Sequence, residues 1–273
     1  MPSLFSEPPV LIRLNTLRHM LPVFVWRELR EQYAGTRLGL VWNLLQPAMM
    51  VFVYWWVFGY IWAIRLPGLG EGGDVPFILF LLCGLLPWLA FSDALNRSAN
   101  AVLGRADVVR HGNFPVLIFP LARVLAAHLV FIPIILGFIL FLWLSGWQRD
   151  PVLVLWVLPL LGLQCAFAIG LGLLLSALSV YVRDVPHVLS MVLLGLFFTA
   201  PILYPLAQVP EALQTLIWAN PFTVFAEGYH RLLLESRWPG WGLWLAALTY
   251  AAAALVAGGL FFQRLRPGFA DVL

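Results

Sequence analysis

The chain has 273 residues, of which 62% are hydrophobic and 11% charged, with a mean hydropathy of +0.90. An apolar share this far above the roughly half of a soluble domain excludes an ordinary water-soluble fold and implies an integral membrane protein. All 16 basic residues are arginine, and the net charge of +3 reads mostly as a signal of topology rather than of a nucleic-acid surface.

Residues 13–33 read as an amphipathic helix, broken near Pro22, with Leu14, Leu17, Leu21, Val25 and Leu29 on one stripe. Such a helix is expected to lie along a membrane surface. Directly before a long apolar run, Arg27, Glu28, Arg30, Glu31 and Arg37 crowd charge into a few turns. Gly35 suits a helix stop and Thr36 a cap for the next helix, so residues 1–38 read as a surface segment and 39–273 as the membrane domain. Residues 1–38 lack an apolar core followed by a small-residue cleavage site, and the first span is expected to serve as the targeting segment.

A bilayer core about 30 Å thick needs roughly 20 apolar helical residues. Six stretches supply them: 39–64, 76–96, 119–145, 152–180, 185–204 and 241–263. In the first, Trp42 and Trp62 are spaced to reach opposite interfaces, and Tyr54, Phe58 and Trp62 share a face with Trp55 beside it. That stripe suits helix packing, lipid contact or stacking against sugar rings. The second span sets Asp93 and Arg97 one turn apart as an ion pair, and a polar, basic loop follows over 98–112. Arg123 and His128 open the third span, where an arginine can snorkel to the interface. Arg183 and Asp184 mark a tight turn after the fourth, with an ion pair as its simplest explanation.

Beyond the fifth span, Pro201, Pro205, Pro210 and Pro221 interrupt residues 199–222 too often for one crossing. Two short helices that enter the membrane and return, a re-entrant gate over 200–220, satisfy the sequence. Asn220 and Pro221 then start an outer helix in which Glu227 and Arg231 pair and His230 lies outside. The sixth span carries Ala247, Ala251, Ala254 and Gly258 as a small-residue stripe. The expected fold is all-α integral membrane: six transmembrane helices, an N-terminal amphipathic interfacial helix and short re-entrant gate helices between spans five and six. With the amino terminus in the cytoplasm, only Arg65, Arg149, Arg231 and Arg237 of the 16 arginines fall outside, which places both termini in the cytoplasm by the positive-inside rule.

Catalytic signatures are missing: no HExxH, no G-x-S-x-G, and no Cys/His cluster that would bind a metal. His19, His111, His128, His187 and His230 are scattered, and Cys83 and Cys165 read as packing residues. A phosphate-cradling P-loop needs a lysine to reach the terminal phosphates, and this chain has none. If ATP powers the protein, the ATPase must be a separate polypeptide that grips the charged helix before span one and the 98–112 loop.

Together "RELREQYAGTRLGLVWNLLQP", "NFPVLIFPLARV", "RDVPHVL", "APILYPLAQVP" followed by "NPF", and the ending "RLRPGFADVL" resemble, in order and along nearly the whole chain, the permease subunits of bacterial ABC transporters that export O-antigen, capsule and teichoic-acid polysaccharides. The resemblance implies a homodimer with two ATP-binding cassette subunits, which bind ATP and Mg, and no cofactor in this chain. It implies a lipid-linked glycan, O-antigen first and capsule close behind, entering from the inner leaflet near the interfacial helix and crossing the inner membrane. Carried onto this sequence, Arg105 and Asp107 become coupling-loop residues, with Arg27, Glu28, Arg30, Arg110, Arg183 and Asp184 as further ATPase-coupling candidates. Tyr54, Trp55, Phe58, Trp62, Phe197 and Tyr204 become candidates for the channel or its gate. Arg110 and His111 stand where the family commonly has lysine. Two alternatives remain from the sequence: a membrane-embedded enzyme acting on lipid-linked sugars, which would need acidic catalytic residues exposed at a membrane face although the inner-side carboxylates Asp93, Asp107 and Asp184 each already have a nearby arginine, and an ABC permease for drugs or other lipids.

Overall fold

The computed structural model describes residues 10–31, 38, 41–62, 65–70, 73–111, 114–148 and 150–273. They form helices joined by short turns and one two-stranded hairpin. The first helix, α1 (Val10–Glu31), runs unbroken through Pro22. Proline removes one backbone donor, but tertiary packing holds the helix: Val25 is buried against Ala122 and Ala126 of α5 (Ile118–Leu144), with Leu21 and Phe24 beside it. The turn expected at Gly35 and Thr36 lies outside the described residues.

Helix α2 (Trp42–Tyr54) continues directly into π-helical turns over Trp55–Ile61. The hairpin of β1 (Arg65–Gly70) and β2 (Gly73–Pro76), antiparallel with Leu66 opposite Val75, is the one departure from an all-helical fold among the described residues. Helix α3 (Phe77–Ala99) is the central element and packs against α5, α7 (Val157–Tyr181), α8 (Val185–Thr199) and α10 (Phe222–Leu233). Its apolar window is 83% buried, against 28–39% for the other long apolar helices, so it is the neighbouring helices rather than its own apolar character that enclose it.

Four helices among the described residues are long and apolar enough to cross a membrane: Phe77–Ala99, Ile118–Leu144, Pro151–Tyr181 and Trp241–Val272. The third joins α6 (Pro151–Leu155) to α7, and the fourth extends α11 (Trp241–Leu265) into the short α12 (Phe269–Val272). Pro47–Ile61 and Val185–Thr199 are apolar but shorter. The small-residue stripe of α11 does what such stripes permit: Ala247, Ala251, Ala254 and Gly258 are buried, and a Cβ on Gly258 would fall 1.9 Å from the Gly170 carbonyl oxygen of α7.

Residues 199–220 leave α8 and return to it by way of a 3-10 turn (Leu206–Gln208) and α9 (Glu211–Ala219). At the return point Asn220 Nδ2 donates to the Leu196 carbonyl at 2.8 Å and to Thr199 Oγ1 at 3.0 Å, while its Oδ1 accepts from Phe222 N–H at 2.9 Å. Asn220 and Pro221 therefore do start a helix. That helix, α10, is enclosed by the bundle: every residue in it except Arg231 is buried. His230 is 1% exposed, donates from Nε2 to the Phe80 carbonyl at 3.0 Å and stacks on the Phe80 ring. Tyr229 finds a buried partner in Gln164, which itself donates to the Pro87 carbonyl. Phe222, Phe225 and Tyr229 drive this burial; of the polar groups carried inward, the Tyr229 hydroxyl and His230 Nε2 find partners on α7 and α3 and the Thr223 hydroxyl on α9, while His230 Nδ1 has none among the described residues.

Candidate functional site

At one end of the bundle, three segments distant in sequence meet through charge. Glu28 of α1 forms ion pairs with Arg105 Nη2 at 3.5 Å and with Arg123 Nε at 3.4 Å. One turn on, Glu31 bonds Arg105 and pairs with Arg27 at 2.5 Å. Arg123 also donates to the Arg97 carbonyl at 2.9 Å, and Arg97 pairs with Asp93 at 2.6 Å. The side chains of Glu28, Arg105 and Arg123 are only 16–20% exposed, so their attraction is screened far less than that of a surface pair. Partial burial pushes the Glu31 carboxyl up, but hydrogen bonds and charge from Arg27 and Arg105 outweigh it and hold this group below its ordinary range. The lattice fastens the first helix to the turn ahead of α4 (Ala106–His111) and to the start of α5.

Of the residues singled out from sequence, Arg27, Glu28 and Arg105 thus come together. Glu31 and Arg123 complete the site; the charge crowding around Glu28 pointed to the first, while the second read only as a snorkelling arginine. Arg30 instead lies over the Trp26 ring at 5.0 Å. Asp107 and Arg110 stand exposed on α4. Arg183 and Asp184 do form an exposed turn before α8, but among the described residues no ion pair joins them. Consecutive residues in a helical turn point apart, which is why adjacency in sequence misleads there.

The six aromatic candidates fall into separate groups. Tyr54 stacks on Phe58 at 5.9 Å, and Phe58 meets Trp62 at 5.3 Å and Phe77 at 5.2 Å. Trp55 faces away from them, 47% exposed, beside Phe52 and Tyr60. Phe197 packs on Trp88 and Phe198, and the Tyr204 hydroxyl donates to the Phe198 carbonyl at 3.0 Å. Trp88, overlooked in the sequence, carries this second group into the core through Phe91 and Phe222.

A mostly helical bundle with four apolar helices of membrane-crossing length, a charged knot at one end and exposed aromatics on and after α2 is the architecture of a polytopic membrane protein. The chain belongs to the ABC-2 type transporter family, whose profile matches residues 21–234. It is 30% identical over 263 residues to the O-antigen export system permease protein RfbA of Myxococcus xanthus, covering 94% of this chain and 96% of that one. It is 25% identical over 266 residues to RfbA of Klebsiella pneumoniae, covering 95% and 97%. To the polysialic acid transport protein KpsM of Escherichia coli it is 26% identical over 226 residues, covering 83% and 84%.

Proposed function

We propose that this chain is the transmembrane subunit of an ATP-driven exporter that moves a lipid-linked polysaccharide across the bacterial inner membrane, with O-antigen favoured and capsular polysaccharide second. The observation that carries the reading is end-to-end similarity to an O-antigen export permease over 94% of the chain. The two shorter apolar helices, Pro47–Ile61 and Val185–Thr199, complete six crossings; α1 lies along the inner leaflet, both termini are cytoplasmic, and the 200–220 segment forms a re-entrant outer gate. Two copies assemble with two ATP-binding cassette subunits that hold ATP and Mg. The knot of Glu28, Glu31, Arg105 and Arg123 fits this role, because a push on α4 from below reaches α1 and α5 together through partly buried charge. Tyr54, Phe58 and Trp62 offer ring faces toward a glycan between the two copies.

The test compares the purified chain with and without its ATPase in proteoliposomes. ATP turnover in the complex, with none from the isolated chain, is the expected result. Transfer of sugar by the isolated chain, or ATP hydrolysis by it, would reject the reading.

A further inference from the structure

The last residues of the chain are built into the same end of the molecule as the charged knot. Phe269 of α12 is fully buried. Its ring meets Phe262 at 5.5 Å and Tyr181 at 6.1 Å, and it shares one apolar cluster with Val102, Val109, Val116 and Phe119. The Tyr181 hydroxyl donates to the Leu265 carbonyl at 2.9 Å, closing the turn through which the chain enters α12. A Cβ on Gly268 would fall 2.5 Å from that hydroxyl oxygen, so glycine permits the close approach. As a result α12 packs directly against α4. The loop helix is braced from two sides: from α1 by charge, through Glu28, Glu31 and Arg105, and from the carboxyl end by apolar packing through Phe269. On the outward side, Asp107, Val108 and Arg110 of α4 and Asp271 and Val272 of α12 are exposed.

We infer that the carboxyl-terminal tail is a working part of the coupling platform: Phe269 and Tyr181 are positioning residues that hold α4 at the angle the ATPase engages, and Asp271 and Val272 extend the surface that the ATPase covers. The inference rests on the exporter reading above. An apolar brace under α4 turns a vertical push into movement of α7 and α11 as well as of α1 and α5, since α12 continues α11 and Tyr181 ends α7. Without the brace, α4 can yield under load while ATP is still hydrolysed.

Two measurements on the permease–ATPase complex test this. In a background carrying Cys83→Ala and Cys165→Ala, Asp271→Cys is treated with a membrane-impermeant maleimide, alone and with the ATPase bound. Protection by the ATPase is expected; equal labelling overturns the shared surface. In the second, Phe269→Ala should lower transport per ATP hydrolysed by about 2- to 30-fold, the range that residues linking two sites produce, with Phe269→Leu restoring it. Tyr181→Phe, which removes only the hydroxyl, should move the ratio in the same direction and covers the case in which Phe269→Ala fails to accumulate. An unchanged ratio in both variants overturns the positioning role. Should the wild-type chain fail to retain an ATPase, the exporter reading itself falls, an outcome separate from any behaviour of the variants.

Discussion

Adjacent glycines near the end of α11 give opposite predictions. A methyl group added at Gly258 would lie 1.9 Å from the Gly170 carbonyl oxygen, whereas at Gly259 it would meet nothing within 4 Å. Both changes gain the same helix propensity, about 1 kcal/mol for glycine to alanine. Gly258→Ala must in addition force α11 off α7, and because the obstructing atoms are helix backbone rather than a flexible side chain, the cost belongs at the upper end of the roughly 1–3 kcal/mol typical of overpacking. The propensity gain cancels in the comparison, leaving a gap of about 3 kcal/mol, or roughly 6 °C at the low end of the 2–4 °C per kcal/mol expected for a large domain. Thermal unfolding of the two variants in the same detergent reads this directly: Gly259→Ala should equal or exceed the wild type, and Gly258→Ala should melt well below it. Equal melting temperatures would refute the backbone-to-backbone packing of α7 and α11.

Glu28→Ala leaves Arg105 and Arg123 facing each other without their shared carboxylate, and should destabilise by about 1–3 kcal/mol, less than a fully buried pair because the group is partly solvated; protease nicking at the α1–α5 seam, faster in the variant, checks it. Exchanging Arg105 and Asp107 together for alanine should weaken ATPase retention while the permease still inserts, and full assembly and export by that double variant would count against the coupling role. Tyr54→Ala and Phe58→Ala should each reduce export without lowering membrane insertion, while wild-type export would return these rings to ordinary packing. Because the native Glu31 carboxyl is held below its ordinary value of 4.5, the stability it adds is complete above that pH and lost as the pH falls through the lowered value. Hydrogen exchange of α1 should therefore differ between wild type and Glu31→Gln at pH 7 and converge in acid; a constant difference down to the lowest pH at which the fold survives would contradict the assignment.

The four long apolar helices were legible in the sequence because each needs only an apolar run, and the pairs Asp93–Arg97 and Glu227–Arg231 were legible because helical periodicity alone brings residues four apart together. The family resemblance came from motif order, and the small-residue stripe of α11 announced a close helix contact, although not that Gly170 lies across it. What sequence left undecided depends on which helices meet. Glu28, Arg105 and Arg123 are far apart along the chain and become one site only when α1 is laid on α5. Pro22 reads as a break until packing offsets its missing hydrogen bond, and the depth of His230 is set only when α10 is enclosed by α3 and α7. Local periodicity and apolar length were fixed by the chain itself, since they need no information beyond neighbouring residues. The depth of α10, the charged knot and the docking of the tail under α4 were decided by tertiary contacts, because the free energy of burying a charge or a ring depends on what the rest of the fold places beside it.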